Sequence, residues 1–285
     1  MAAATDRVGL GWRPELAAGI LSNLDRIDLV EVIADDYFGR NARELRTLHA
    51  QVPLVLHGVG LGLASTSAPD AKRLDAMARV VDIAEPEFWS EHLAFVRAGG
   101  IEIGHLAAPP RNAALVDATA RNVDRARRVV GTRPGLENIA TLIDPPASDL
   151  GEADWISRVI AASGAGLLLD LHNAYANCLN FGGDASAFVA RLPMHAICAI
   201  HLGGSKWIAA SNGERRLLDD HLHDVPAPVY ALLEQVAALA PEPLTVIIER
   251  DGNYPPIQRL LDEIDLARAA IARGRARRHI ATLAA

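Results

Sequence analysis

The sequence predicts an α/β protein: a (β/α)8 TIM barrel in a single domain over residues 1–285. Three observations carry that expectation. Short apolar runs rich in Val, Ile and Leu alternate with longer segments of helical period. The runs number eight, the count that closes such a barrel. Six of them close on an acid or an imidazole, although a buried parallel strand is ordinarily apolar throughout.

Taken in order, the strands are read at "VGLGW" (8–12), "LVEVIAD" (29–35) and "VPLVLHG" (52–58). The helical stretch "DAKRLDAMARVVDIA" (70–84) follows the third. "FWSEHL" (88–93) is the fourth strand and "AALVDATARNVDRARRVVG" (113–131) the helix behind it. Then come "RPGLENI" (133–139), "GLLLDLHN" (166–173) and "HAICAIHLGG" (195–204). The helix "VYALLEQVAALA" (229–240) and the eighth strand "PLTVIIERDG" (243–252) close the series. Gly-x-Gly-x-x-Gly is missing after the first strand, so a dinucleotide-binding doubly wound sheet loses its main support. No linker, low-complexity tract or second domain interrupts the alternation.

Composition narrows the function. Half of the residues are hydrophobic, ample for a large core, yet no apolar run reaches the roughly 18 residues of a membrane span. The first 30 residues alternate Gly, Pro and charge too early for a signal peptide, so a cytoplasmic protein is expected. A net charge of −7 and a pI near 5.8 argue against a nucleic-acid footprint. The one basic stretch, "ARGRARRH" (272–279), is read as a solvated helix end. Cys178 and Cys198 give neither a disulfide framework nor a CxxC pair. Any metal is therefore held by nitrogen and oxygen.

The polar strand ends are His57, His92, Glu137, Asp170, His201 and Glu249, on strands three to eight. Side chains alternate along a strand, so Asp170 shares a face with Leu168, His201 with Ala199, and Glu249 with Ile247. All six can point into the mouth of the barrel, where barrel enzymes build their sites. A lone histidine at a strand end is usually a hydrogen-bonded core residue, but three imidazoles and three carboxylates buried unpaired would be costly. Metal ions offset that cost. The loop "LDDHLHDVP" (218–226) adds Asp219, His221 and His223 at one-residue gaps, and Asn173 could contribute its carbonyl oxygen. This is more than one ion requires, so two or three ions are expected; iron, manganese or zinc suits a donor set without thiolate.

At these residues the chain resembles the multinuclear non-heme iron-dependent oxidative enzymes, exemplified by the oxidase of methanobactin biosynthesis. The resemblance runs nearly end to end through "VGLGWRPEL", "EVIADDYFG", "LHGVGLGL", "SEHLAF", "ENIAT", "LLLDLHNAYAN", "HLGG", "DDHLHDVPAPVY" and "IIERDG". It implies a barrel holding two or three irons, with His57, His92, Glu137, Asp170, His201 and Glu249 as central ligands. Asn173, Asp219 and His221 match the positions of a third, more weakly held ion. His92, Glu137 and Asp170 are the residues expected to carry the chemistry, and Glu137 could bridge two ions. The chain departs from the family at two places. His172-Asn173 stands where two asparagines are common, and Asp35-Asp36-Tyr37 where Glu-Asn-Tyr is common.

The implied substrate is a ribosomally made precursor peptide, modified at a cysteine or another specific side chain, with ferrous iron activating O2. A separate protein that recognises the leader peptide is the expected partner, and "GGSKWIAASNGERR" (203–216) is a candidate lid or clamp. Two other readings stay open. One is a multinuclear hydrolase or sugar isomerase resembling endonuclease IV or xylose isomerase, for which Lys206 is the lysine nearest a strand. The other is a non-catalytic metal-binding barrel.

Overall fold

A computed structural model describes residues 5–40, 42–98, 101–209 and 213–284. Its barrel strands are β1 (Arg7–Gly11), β2 (Val30–Ile33), β3 (Leu54–Gly58), β4 (Trp89–His92), β5 (Gly135–Glu137), β6 (Gly166–Asp170), β7 (Ile197–Leu202) and β8 (Thr245–Ile248). They close in chain order, β8 returning to β1. The expected (β/α)8 class is the fold. Registers are parallel: Val8 stands opposite Val246, Ile247 opposite His201, His57 opposite Ser90, and His92 opposite Glu137. Gly9 is required where β1 meets the segment before β2, since a Cβ there would lie 2.1 Å from the Leu29 carbonyl oxygen.

The helices are α1 (Ala17–Leu21), α2 (Arg43–His49), α3 (Ala71–Ala84), α4 (Ala113–Val130), α5 (Glu152–Ser163), α6 (Leu171–Phe181), α7 (Ala185–Ala190), α8 (Ala227–Leu239) and α9 (Ile257–Ala284). The expected helix starts are set by caps. Asp70 accepts from the Arg73 N–H at 2.9 Å and Asn112 from the Leu115 N–H at 3.0 Å, satisfying donors that the first turn leaves open. Strands β2 to β8 are each shorter than the run read for them, and the sixth shows why. The sixth was expected to continue to Asn173, but it ends at Asp170, whose carboxylate accepts the Asn173 N–H at 2.6 Å and opens α6 at the next residue.

The internal contacts gather the chain into two compact units, residues 31–168 and residues 1–30 with 169–285. In the first, Leu54, Leu56, Met77, Trp89, Leu136 and Val159 are fully or almost fully buried, and β4 is followed by an antiparallel hairpin, Phe95–Ala98 with Ile101–Ala107. Arg97 ties that hairpin to the carbonyl of Gly60 at 2.8 Å. In the second, α8 and α9 bury Leu233, Val236, Leu260 and Ile264. The basic stretch lies in α9, where Arg273 and Arg277 pair with Glu234 and Arg275 with Asp6. These arginines serve the helix packing. The 203–216 segment holds the strand Ser205–Ala209 and the start of a second, Arg215–Asp219, that pairs with it antiparallel, rather than one long loop; residues 210–212 lie outside the described residues. Among the described residues, no helix is long and apolar enough to cross a membrane.

Candidate metal centre

In the 31–168 unit, β4 and β5 end on His92 and Glu137, and His57 is the last residue but one of β3. Nε2 of His57 lies 3.2 Å from Glu137 Oε2, Nε2 of His92 lies 3.4 Å from the same oxygen, and the two Nε2 atoms are 3.4 Å apart. Ligands each ~2.1 Å from one ion stand about 3.0 Å apart at right angles and about 3.4 Å apart at the tetrahedral angle. The triad has that spacing. It also has the donor chemistry of a 2-His-1-carboxylate set.

The ring of His57 is held from behind. Ser90, its register partner on β4, puts Oγ 2.8 Å from His57 Nδ1 and 3.3 Å from the Leu56 carbonyl. With the hydroxyl proton on that carbonyl, Nδ1–H donates to Ser90 and the lone pair of Nε2 is left facing Glu137. Between Ser90 and His92 on the same strand lies Glu91, fully buried. Burial pushes its carboxyl up to about 8, and the Asp35 carboxylate adds to the rise, although the N–H groups of Leu61 and His92 oppose it. Asp35 is raised by burial as well, against the Val59 N–H and Arg73. Sequence reasoning missed Ser90 and Glu91; an acid inside a strand directly before His92 was the signal for Glu91.

In the other unit, Asp170, His201 and Glu249 are buried and bring their donor atoms within 4.8 Å of one another. His201 Nδ1 stands 3.0 Å from Glu249 Oε2. Glu249 falls one residue beyond β8, but its N–H bonds the Leu202 carbonyl at 3.0 Å and keeps it aligned with β7. Asp219 ends a hairpin strand instead of lying in a loop, and His221 follows in the left-handed region at φ +50°. His221 Nε2 is 2.8 Å from Asp219 Oδ1, while Nδ1 is 3.2 Å from Asp251 and 3.6 Å from Glu249. Burial pushes the His221 ring down, but the Glu249, Asp219 and Asp251 carboxylates outweigh it and hold it well above its usual range. Asp219 shows the converse: burial raises it, and His221 and His172 bring it down to about 2.

This loop is built rather than loose. Arg250 donates to the Leu222 carbonyl at 3.0 Å and to Asp224 at 2.7 Å, and Arg13 grips Asp251 from the end of β1. Gly203 makes room for the imidazole, since a Cβ there would lie 2.6 Å from the His221 ring. Asn173 is buried in the first turn of α6. His223 turns outward, 43% exposed, to pair with Asp220 at 3.0 Å, separate from the Asp219–His221 contact. Lys206, 47% exposed, pairs with the same Asp220 at 3.4 Å. An isomerase-type lysine is not what its position offers. The donor atoms that cluster here, among the described residues, belong to imidazoles and carboxylates.

The fold and the chain can now be set beside known proteins. L-ribulose 3-epimerase superposes with a TM-score of 0.61 at 15% identity over 99% of this chain and 98% of that one. A xylose isomerase domain protein of Salmonella typhimurium gives 0.62 at 15% over 95% and 99%. At such identities the likeness is one of fold. Sequence relatives are nearer: UPF0276 proteins of Bordetella bronchiseptica, 34% identical over 94% of this chain and 93% of the relative, and of Caulobacter vibrioides, 31% identical over 95% and 96%. A family profile described as "RiPP precursor modification enzyme MbnB/TglH/ChrH" matches residues 7–272. With both the profile and these relatives spanning nearly the whole length, the chain belongs to this family of enzymes that modify ribosomally made precursor peptides.

Proposed function

We propose that the protein is a multinuclear non-heme iron enzyme that oxidises a ribosomal precursor peptide with O2, at cysteine or another specific side chain. The observation that supports it most is the His57–His92–Glu137 triad, whose three donor atoms stand 3.2–3.4 Å apart. These residues hold one ion. Asp170, His201 and Glu249 hold a second, and Asp219, His221 and Asn173 a third, more weakly kept one. Bound iron supplies the electron transfer to O2 that no side chain here can provide.

The protein's own contribution is positional. Ser90 fixes the His57 tautomer, the cap on α6 fixes Asp170, and Arg250 steadies the loop of His221. His92, Glu137 and Asp170 are the residues assigned to the reacting centre. A separate leader-recognising protein is the proposed partner, and we assign the reaction to the cytoplasm.

The test begins with protein purified without air and supplied with iron. More than one iron per chain is expected, and the precursor peptide encoded nearby should take up O2 and change mass at one residue type. A peptide altered equally well without O2, or cleaved by a zinc-loaded enzyme that iron leaves inactive, would move the protein to the hydrolytic or isomerising class.

A further inference from the structure

His172 follows Asp170 by two residues in the first turn of α6 and is fully buried. Its Nδ1 stands 3.1 Å from Asp219 Oδ1, and His221 Nε2 approaches the same oxygen to 2.8 Å. Among the described residues, neither ring nitrogen of His172, nor Nε2 of His221, nor Oδ1 of Asp219 makes an aligned hydrogen bond. Close approach without a proton directed along it is the arrangement of ligands that share a cation, since each lone pair then points at the ion and not at its neighbour. A buried imidazole with both nitrogens unserved is otherwise a cost with no return.

We propose that His172 is a metal ligand of the loop site, joining Asp219 and His221 there. This rests on the metal reading given above and adds to it a residue that the resemblance does not supply. With His172 added, the loop donors are two imidazoles and one carboxylate beside the Asn173 amide, a set that favours ferrous iron, cobalt or zinc over magnesium. The same local cap serves both tiers: Asp170 starts α6, and the first turn of α6 carries His172 to Asp219.

The experiment compares the full-length protein with His172→Leu and His172→Asn. Each is loaded anaerobically with iron(II), desalted and assayed for iron, and each is melted both in EDTA and with iron(II). Wild type should retain about one more iron per chain than His172→Leu, and His172→Asn should hold that ion more than about tenfold more weakly, beyond what the loss of an outer-shell partner alone produces at its least. In EDTA His172→Leu should melt no lower than wild type, while with iron(II) wild type should rise above it. Such a reversal separates a ligand from a packing residue. Full iron in His172→Leu, or an equal drop in melting temperature under both conditions, overturns the proposal. Iron absent from wild type and variants alike overturns the metal reading itself, and the two failures differ in whether the shared iron content is full or zero.

Discussion

The triad of the 31–168 unit and the loop set of the other unit use the same donors and are held in different ways. His57, His92 and Glu137 each lie within the last two residues of a barrel strand, and the parallel register sets His92 directly beside Glu137. Their spacing follows from sheet geometry. Asp219 and His221 instead depend on a hairpin end, a residue at φ +50°, a glycine that leaves room for the ring, and salt bridges from Asp251 and Arg250. A left-handed non-glycine backbone costs free energy and persists where its surroundings over-determine it. Equal ligands thus need not mean equal hold: one set is fixed by backbone pairing, the other by a network of side chains.

The largest expected effect is on the strand-held set. Glu137 is the single anionic donor of its triad, so Glu137→Ala should lose more bound iron than any other single substitution in the site, and the peptide-dependent O2 uptake with it. Iron analysis and an oxygen electrode read both. Should Glu137→Ala keep its iron while a loop variant loses all of it, the ranking of the two sets is reversed.

Next come the loop residues. Asp219→Ala or His221→Ala should each remove about one iron and leave the remainder. Gly203→Ala should mimic them without touching a donor, because its methyl group would meet the His221 ring at 2.6 Å. If Gly203→Ala binds iron as wild type does, the loop is more compliant than the comparison claims.

Ser90→Ala tests the strand-held set more gently. Loss of the Ser90 contact frees the His57 ring to choose its tautomer, and iron affinity should fall by about 10- to 100-fold, the usual cost of removing such a partner. Titration with iron(II) should show the change with the fold intact by circular dichroism. An unchanged affinity would mean that the barrel strands alone orient His57.

The smallest effect lies remote from both sets and serves as their control. Burial raises the Asp6 carboxyl, but Arg275 and the Leu244 N–H outweigh it and hold it below its usual range. Because the folded pKa is depressed, its contribution is present above the unfolded pKa of about 3.9 and is lost as the pH falls through the lower folded value. Asp6 is partly exposed, so after solvent screening Asp6→Asn should cost at most about 1 kcal/mol at pH 7. Chemical denaturation should show that difference shrinking below about pH 4, with iron content unaltered.

Much of the site is legible along the chain because a barrel strand announces itself locally. An apolar run gives the strand, and the acid or imidazole near its end gives the candidate donor, as at His57, His92, Glu137, Asp170 and His201. The same locality explains the overrun of the sixth strand: Asp170 looks like a residue within a longer strand until its side chain is seen to cap α6. The hairpin within residues 203–216 was hidden because its two strands pair only with each other, and "SKWIA" and "RRLLD" carry no strong apolar alternation.

What the sequence by itself determined, then, is the barrel class and the acids and imidazoles at the strand ends that the fold gathers, all properties of a residue and its near neighbours. The tertiary structure alone decided which partners serve them. Ser90 reaches His57 across 33 residues of chain, Asp251 reaches His221 across 30, and His172 meets Asp219 across nearly 50. Those meetings depend on how strands register and where a hairpin folds back, and residues so far apart in the chain leave no periodic trace of a contact that only the closed fold creates.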